Sequence, residues 1–135
     1  MTASHELHRG SCLCGETVYE VHGPLRPVVA CHCTQCRKQT GHYLAATSAV
    51  TKDLRMVKDA HVRWYRSSAR ARRAFCGNCG STLFWHADAR GDEISIAAGT
   101  LDGATGLATE GHIFCANKGD YYVLPQEGYM RAQWE

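Results

Sequence analysis

No stretch of this sequence approaches the roughly 20 consecutive apolar residues of a membrane-spanning helix. The N-terminus, Met1 to Gly10, also lacks the apolar segment of a secretory leader; it is polar and carries His5, Glu6, His8 and Arg9. From these two absences the expectation is a soluble, cytoplasmic protein without a membrane partner. A charge excess is missing too: 15 Lys and Arg face 13 Asp and Glu, and charged residues make up 21%. So slight an imbalance excludes charge-driven disorder and gives no electrostatic footprint for a bulk nucleic-acid binder. There is no internal repeat, no low-complexity tract and no linker able to divide the chain. With 135 residues and a hydrophobic fraction of 44%, a single domain over residues 1–135 with an ordinary core is expected.

What the sequence does contain is cysteine in tight clusters. Seven of its eight cysteines form a C-x-C (Cys12, Cys14), a C-x-C-x-x-C (Cys31, Cys33, Cys36) and a C-x-x-C (Cys76, Cys79). Spacings this short put thiolates on one side of a turn, where one tetrahedral metal ion can take them. In a reducing compartment such clusters are metal ligands or redox centres more often than disulfides. The two outer pairs together suit a closed structural zinc on Cys12, Cys14, Cys76 and Cys79. Glycines Gly15, Gly77 and Gly80 beside them let the backbone curl its amides toward the sulfurs.

The middle cluster has three thiolates and no obvious fourth. A zinc with three protein ligands keeps a position for substrate, where an incoming thiol, ordinarily of pKa about 8.5, would bind as thiolate and attack a carbonyl. Four residues could instead close that site: Cys115, His32, His42 and His112. Two rival readings stand beside this one. A redox protein would use Cys76 and Cys79, and a non-catalytic zinc module would bind a protein or nucleic acid through the basic stretch Arg66, Arg70, Arg72 and Arg73.

The remaining pattern predicts a mainly β chain, α+β at most. Strands are expected at Glu16–Val21, with Thr17, Tyr19 and Val21 on one face, and at Val28–Cys31, Tyr43–Val50, Leu54–Val57 and Val62–Tyr65. Further strands are expected at Ala74–Phe75, Thr82–Trp85, Glu93–Ala98, His112–Cys115 and Tyr121–Leu124. A helical turn is expected over Thr34–Gln39, ended by Gly41. Short strands punctuated by glycine and proline suggest antiparallel sheets.

Taken in order, these motifs resemble the glutathione-dependent formaldehyde-activating enzyme family, also called the centromere-protein-V-like family. The matching residues are Gly10-Ser11-Cys12-Leu13-Cys14-Gly15 with Val18-Tyr19, and Cys31-His32-Cys33-Thr34-Gln35-Cys36-Arg37. Tyr65-Arg66-Ser67-Ser68, Arg73-Ala74-Phe75-Cys76-Gly77-Asn78-Cys79-Gly80-Ser81, Leu83-Phe84, Gly99-Thr100-Leu101-Asp102 and His112-Ile113-Phe114 complete the set. The resemblance implies small antiparallel sheets stapled by zinc, similar to the Rab-accessory zinc proteins and methionine-R-sulfoxide reductases. It implies two zinc ions, structural on Cys12, Cys14, Cys76 and Cys79 and catalytic on Cys31, Cys33 and Cys36. The implied activity is that of a carbon–sulfur lyase which joins glutathione, as co-substrate, to formaldehyde and yields S-hydroxymethylglutathione. Two departures stand out. Asn117-Lys118-Gly119-Asp120-Tyr121-Tyr122 replaces a family Ser-Lys-x-Pro-Trp, and Cys115 lies outside the pattern.

Glutathione carries two carboxylates, so its site needs donors. Arg37 and Arg73 lie beside cysteine clusters and suit bidentate carboxylate recognition. His32 could bind substrate and, like His42, move a proton to a developing alkoxide. Trp64, Trp85, Tyr121 and Tyr122 read as sheet or core packing. The expected partners are a small thiol and an aldehyde, with a homo-oligomer left open.

Overall fold

The computed structural model describes residues 6–134; residues 1–5 and 135 of the expected 1–135 unit lie outside the described residues. In chain order the first strands are β1 (His8–Ser11), β2 (Val18–Val21) and β3 (Val28–Cys31), followed directly by a short helix α1 (Thr34–Thr40). Then come β4 (Leu44–Val50), β5 (Leu54–Lys58), β6 (Val62–Arg66), β7 (Ala71–Cys76), β8 (Thr82–Ala87), β9 (Glu93–Ala97), β10 (Thr109–Ile113) and β11 (Tyr129–Met130). They form a three-stranded sheet, β1-β2-β5, and an eight-stranded sheet, β11-β10-β3-β4-β9-β8-β7-β6. The expected mostly β class is what the chain adopts.

Pairing is antiparallel throughout except at β10, which runs parallel to both β3 and β11. Parallel neighbours cannot be joined by a tight hairpin, so this part of the sheet is assembled from segments distant in sequence. No helix is long and apolar enough to cross a membrane among the described residues.

Side-chain alternation gives the large sheet two different faces. Ala74, Phe84, Ile94 and Ile96 turn inward and meet Tyr19 and Val21 of β2, closing the core between the sheets. Val29, Cys31, Ala46, Trp85 and Arg73 occupy the other face, as their pairing register requires. Thr17, Tyr19 and Val21 are all fully buried, as the alternation in the sequence predicts. Gly10 lets β1 lie on this core, because a Cβ there would come within 2.1 Å of the Tyr19 ring.

The helix follows its local signals. The Cys33 side chain caps it by accepting from the Cys36 amide at 3.3 Å, and Gly41 ends it at φ +82° with its N–H on the Arg37 carbonyl. The strands expected at Glu16–Val21, Ala74–Phe75 and Thr82–Trp85 run over Val18–Val21, Ala71–Cys76 and Thr82–Ala87, and three further differences go beyond such shifts. Segment Tyr121–Leu124 is not a strand: the Tyr121 hydroxyl donates to the Gly41 carbonyl and Lys118 Nζ donates to the Tyr122 carbonyl, so its polar groups are met outside any ladder. The strand expected to reach Cys115 stops at Ile113, where Phe114 takes left-handed backbone at φ 54°. Strands β1 and β11 carry little β pattern, and their pairing is dictated by neighbours rather than propensity.

Candidate metal centres and the adjoining cavity

Two turns deliver the first sulfur cluster. Cys12 and Cys14 come from the turn after β1, while Cys76 and Cys79 come from the turn between β7 and β8. Their four sulfurs all lie within 4.8 Å of one another, with Cys12–Cys14 at 3.5 Å and Cys14–Cys76 at 3.9 Å. Tetrahedral zinc with bonds of about 2.3 Å needs sulfurs about 3.8 Å apart, so the donor set fits that ion. Donors face the sulfurs as anions require: the Thr17 amide reaches Cys12 at 3.2 Å and Asn78 Nδ2 reaches Cys14 at 3.2 Å. Hydrogen bonds from the Ser81 hydroxyl and amide draw Cys79 down to about 5. Grouping Cys76 and Cys79 with two further sulfurs suits metal binding better than an isolated redox pair.

The second cluster sits where β3 meets α1. Cys31, Cys33 and Cys36 bring their sulfurs within 4.8 Å of one another, with Cys33 and Cys36 at 3.2 Å. Hydrogen bonds from Cys31 and Cys36 pull Cys33 down to about 2, with help from Arg73, while Cys33 in turn pushes the Cys31 thiol up. Among the described residues no fourth thiol, imidazole or carboxylate joins the trio. Cys115 lies on the turn after β10 and outside this group.

Arg73, expected as a carboxylate binder, lies against the trio and on the cavity wall. It is only 4% exposed. Nη1 and Nη2 each stand 3.6 Å from the Cys36 sulfur, and Nη2 stands 3.9 Å from that of Cys33. Nε donates to Gln35 Oε1 at 3.2 Å and Nη1 to Gln39 Oε1 at 2.9 Å. All five guanidinium N–H groups are thereby committed, leaving none for a substrate carboxylate. No carboxylate pairs with Arg73 among the described residues. A buried guanidinium needs compensating negative charge, and only the sulfurs offer it. Burial works against its charge, yet Cys36 and Cys33 hold Arg73 more firmly protonated than usual. A cation held against two sulfurs of the cluster fits an anionic, metal-binding trio.

His32 departs from its expected role for a geometric reason. Alternation along β3 sends it to the face opposite Cys31. There it is fully buried, with Nδ1 at 2.6 Å from the Tyr122 hydroxyl and Nε2 at 2.9 Å from His112 Nδ1. Tyr43 packs on the same ring, and His42 packs on Tyr43 and Tyr122. Both His32 nitrogens are satisfied within the protein, which leaves neither for substrate. Burial, then His112, lowers His32 to about 4, so the ring is neutral. Arg37 is half-buried on α1 and its Nε has no hydrogen-bond partner among the described residues. It is not part of the cavity wall.

That cavity opens from the trio across the outer face of the large sheet and has a volume of about 940 Å³. Its wall includes Cys31, Cys33 and Cys36 at one end and Trp85, Tyr129 and Trp134 elsewhere. Three exposed arginines, Arg70, Arg90 and Arg131, also line it; Arg90 pairs with Glu93 at 3.2 Å, and the Arg131 guanidinium stacks 4.1 Å above the Tyr129 ring. Sequence reasoning missed Trp85, Arg131 and Trp134 as site residues. Trp85 was legible in principle, since alternation in β8 puts it opposite the core residue Phe84. The other two reach the site because residues 131–133 hydrogen-bond to 114–116, and no local pattern encodes that. The basic stretch of the nucleic-acid reading is largely spent: Arg66 pairs with Asp88 at 2.6 Å, Arg72 stacks on Trp64 and Arg73 is buried on sulfur.

The chain and its fold are similar to known proteins. The chain is 27% identical over 123 residues to an uncharacterised lyase of Schizosaccharomyces pombe, covering 91% of this chain and 89% of the relative. The fold matches a crystal structure of a Rhodobacter sphaeroides protein with a TM-score of 0.61 and 25% identity, over 77% of this chain and 98% of the other. Residues 7–117 match the model of the glutathione-dependent formaldehyde-activating enzyme. Because that match spans most of its length, the chain belongs to the glutathione-dependent formaldehyde-activating enzyme family.

Proposed function

We propose that this protein is a zinc-dependent carbon–sulfur lyase that adds a small thiol, glutathione being the family's, to formaldehyde or a related aldehyde. The observation that carries the reading is the trio Cys31, Cys33 and Cys36, which opens on a cavity and meets no fourth protein ligand among the described residues. Zinc held by that trio would supply an open position that binds the thiol as thiolate near neutral pH. The sulfur forms a bond to the carbonyl carbon and the carbonyl oxygen takes up the proton, giving an S-hydroxymethyl adduct; the reverse is the lyase direction. Cys12, Cys14, Cys76 and Cys79 would hold a second, structural zinc.

The chain's own residues account for substrate binding. The cavity volume lies within the range of pockets that enclose ligands of tripeptide size, far beyond the needs of a one-carbon aldehyde. Arg70 and Arg131 present cations to the carboxylates of such a thiol, and Trp85 and Trp134 give apolar walls.

Replacing Cys33 with Ser is the direct test. Serine keeps an oxygen for the helix cap but removes a thiolate ligand. Adduct formation from glutathione and formaldehyde, followed by NMR, is expected to fall at least about a hundredfold, with zinc content dropping from about two ions per chain to about one. Unchanged adduct formation in this variant would end the proposal.

A further inference from the structure

We infer that Arg73 is a positioning residue that sets the charge of the open site, so that the fourth position takes an anionic ligand, a small thiolate, in preference to a neutral one. This rests on the proposal that Cys31, Cys33 and Cys36 hold a zinc dication. Three thiolates exceed that dication by one negative charge, and an approaching thiolate would meet net repulsion. The Arg73 guanidinium, 3.6 Å from the Cys36 sulfur and 3.9 Å from that of Cys33, cancels the excess.

The placement is built rather than incidental. Arg73 rises from β7, paired in register with Trp85 of β8, on the sheet face that floors the cavity. Gln35 and Gln39, one turn apart on α1, receive its Nε and Nη1. These two amides fix the plane of the guanidinium and turn its remaining N–H groups to sulfur. A neutral donor could have satisfied the sulfurs at a lower desolvation cost than a buried cation. The charge itself therefore has a purpose, and the anionic group it meets among the described residues is the sulfur trio. Because no N–H remains for the ligand, Arg73 acts on it through the field alone.

The experiment uses the full chain loaded with Co2+, in wild type and in the variants Arg73→Met and Arg73→Lys. Cobalt–thiolate absorption of the four-sulfur site reports that each variant is folded. Glutathione and imidazole are titrated separately, and the ligand-field bands of the open site report each affinity. Arg73→Met is expected to weaken glutathione by at least about tenfold while leaving imidazole, which binds neutral, unchanged. Arg73→Lys keeps the charge but not the fork, and is expected to bind glutathione more tightly than Arg73→Met.

Equal weakening of both ligands, no weakening of either, or identical behaviour of the two variants overturns the inference and assigns Arg73 to holding α1 against β7. If Arg73→Met fails to hold cobalt at the trio, retention by Arg73→Lys supports the charge role and loss in both overturns it. Should wild type itself take cobalt only at the four-sulfur site, the proposed function fails and the inference with it. That outcome is distinct from the case in which wild type binds glutathione and the variants do not discriminate.

Discussion

Three consecutive residues at the end of β3 and just beyond it carry two separate chemistries. Cys31 and Cys33 turn to the cavity, and His32 between them turns into a buried cluster with Tyr122 and His112. This separation has a consequence for stability. Burial lowers both His32, to about 4, and His112, whereas the unfolded chain takes its proton near the ordinary histidine value of about 6.5. Between those values the unfolded state binds more protons, so stability is full above about pH 6.5 and is lost as pH falls toward 4. Urea unfolding is expected to show about 1–2 kcal/mol less stability at pH 5 than at pH 7 from this cluster. Because His112 is one of the charges opposing protonation of His32, His112→Gln is expected to give a shallower pH slope. A slope identical to wild type would remove the histidines from this account.

Among the elements, those with strong local signals were readable. Strand β2 alternates, β3 and β9 are short β-branched runs, and α1 lies between a capping side chain and a left-handed glycine. The stop at Gly41 is a backbone requirement alone, because a Cβ there would meet nothing within 4 Å. Gly41→Ala should therefore cost about 1 kcal/mol through its positive φ, measured by thermal unfolding, with metal content unchanged. A larger loss, or loss of metal from the trio, would show that the turn also positions the cluster. The segment Tyr121–Leu124 has the composition of a strand but donates from the Tyr121 hydroxyl to Gly41 and accepts from Lys118 at the Tyr122 carbonyl instead. Composition cannot register a partner supplied from 80 positions away.

For the molecule as a whole, the four-sulfur cluster joins the turn after β1 to the turn between β7 and β8, and so ties the small sheet to the large one. Structural zinc contributes on the order of 10 kcal/mol, which is comparable to the entire stability of a typical domain. Cys76→Ser is expected to abolish the cooperative unfolding transition followed by circular dichroism, whereas Cys36→Ser should retain it while losing adduct formation. A Cys76→Ser variant that unfolds like wild type would show that the sheets hold together without the metal.

The spacing of the cysteines already determined which sulfurs share a turn, because a C-x-C or C-x-x-C turn converges its thiols whatever lies around it, whereas the meeting of Cys12 and Cys14 with Cys76 and Cys79 is a long-range contact. Tertiary structure alone decided what surrounds them. Arg73 reaches the trio because β7 belongs to the same sheet as β3 and α1 meets its side chain through Gln35 and Gln39, and Arg131 and Trp134 reach the cavity because β10 pairs in parallel with both β3 and β11. Local spacing governs ligands that share a turn, but charge balance and cavity walls come from strand order, which long-range pairing sets.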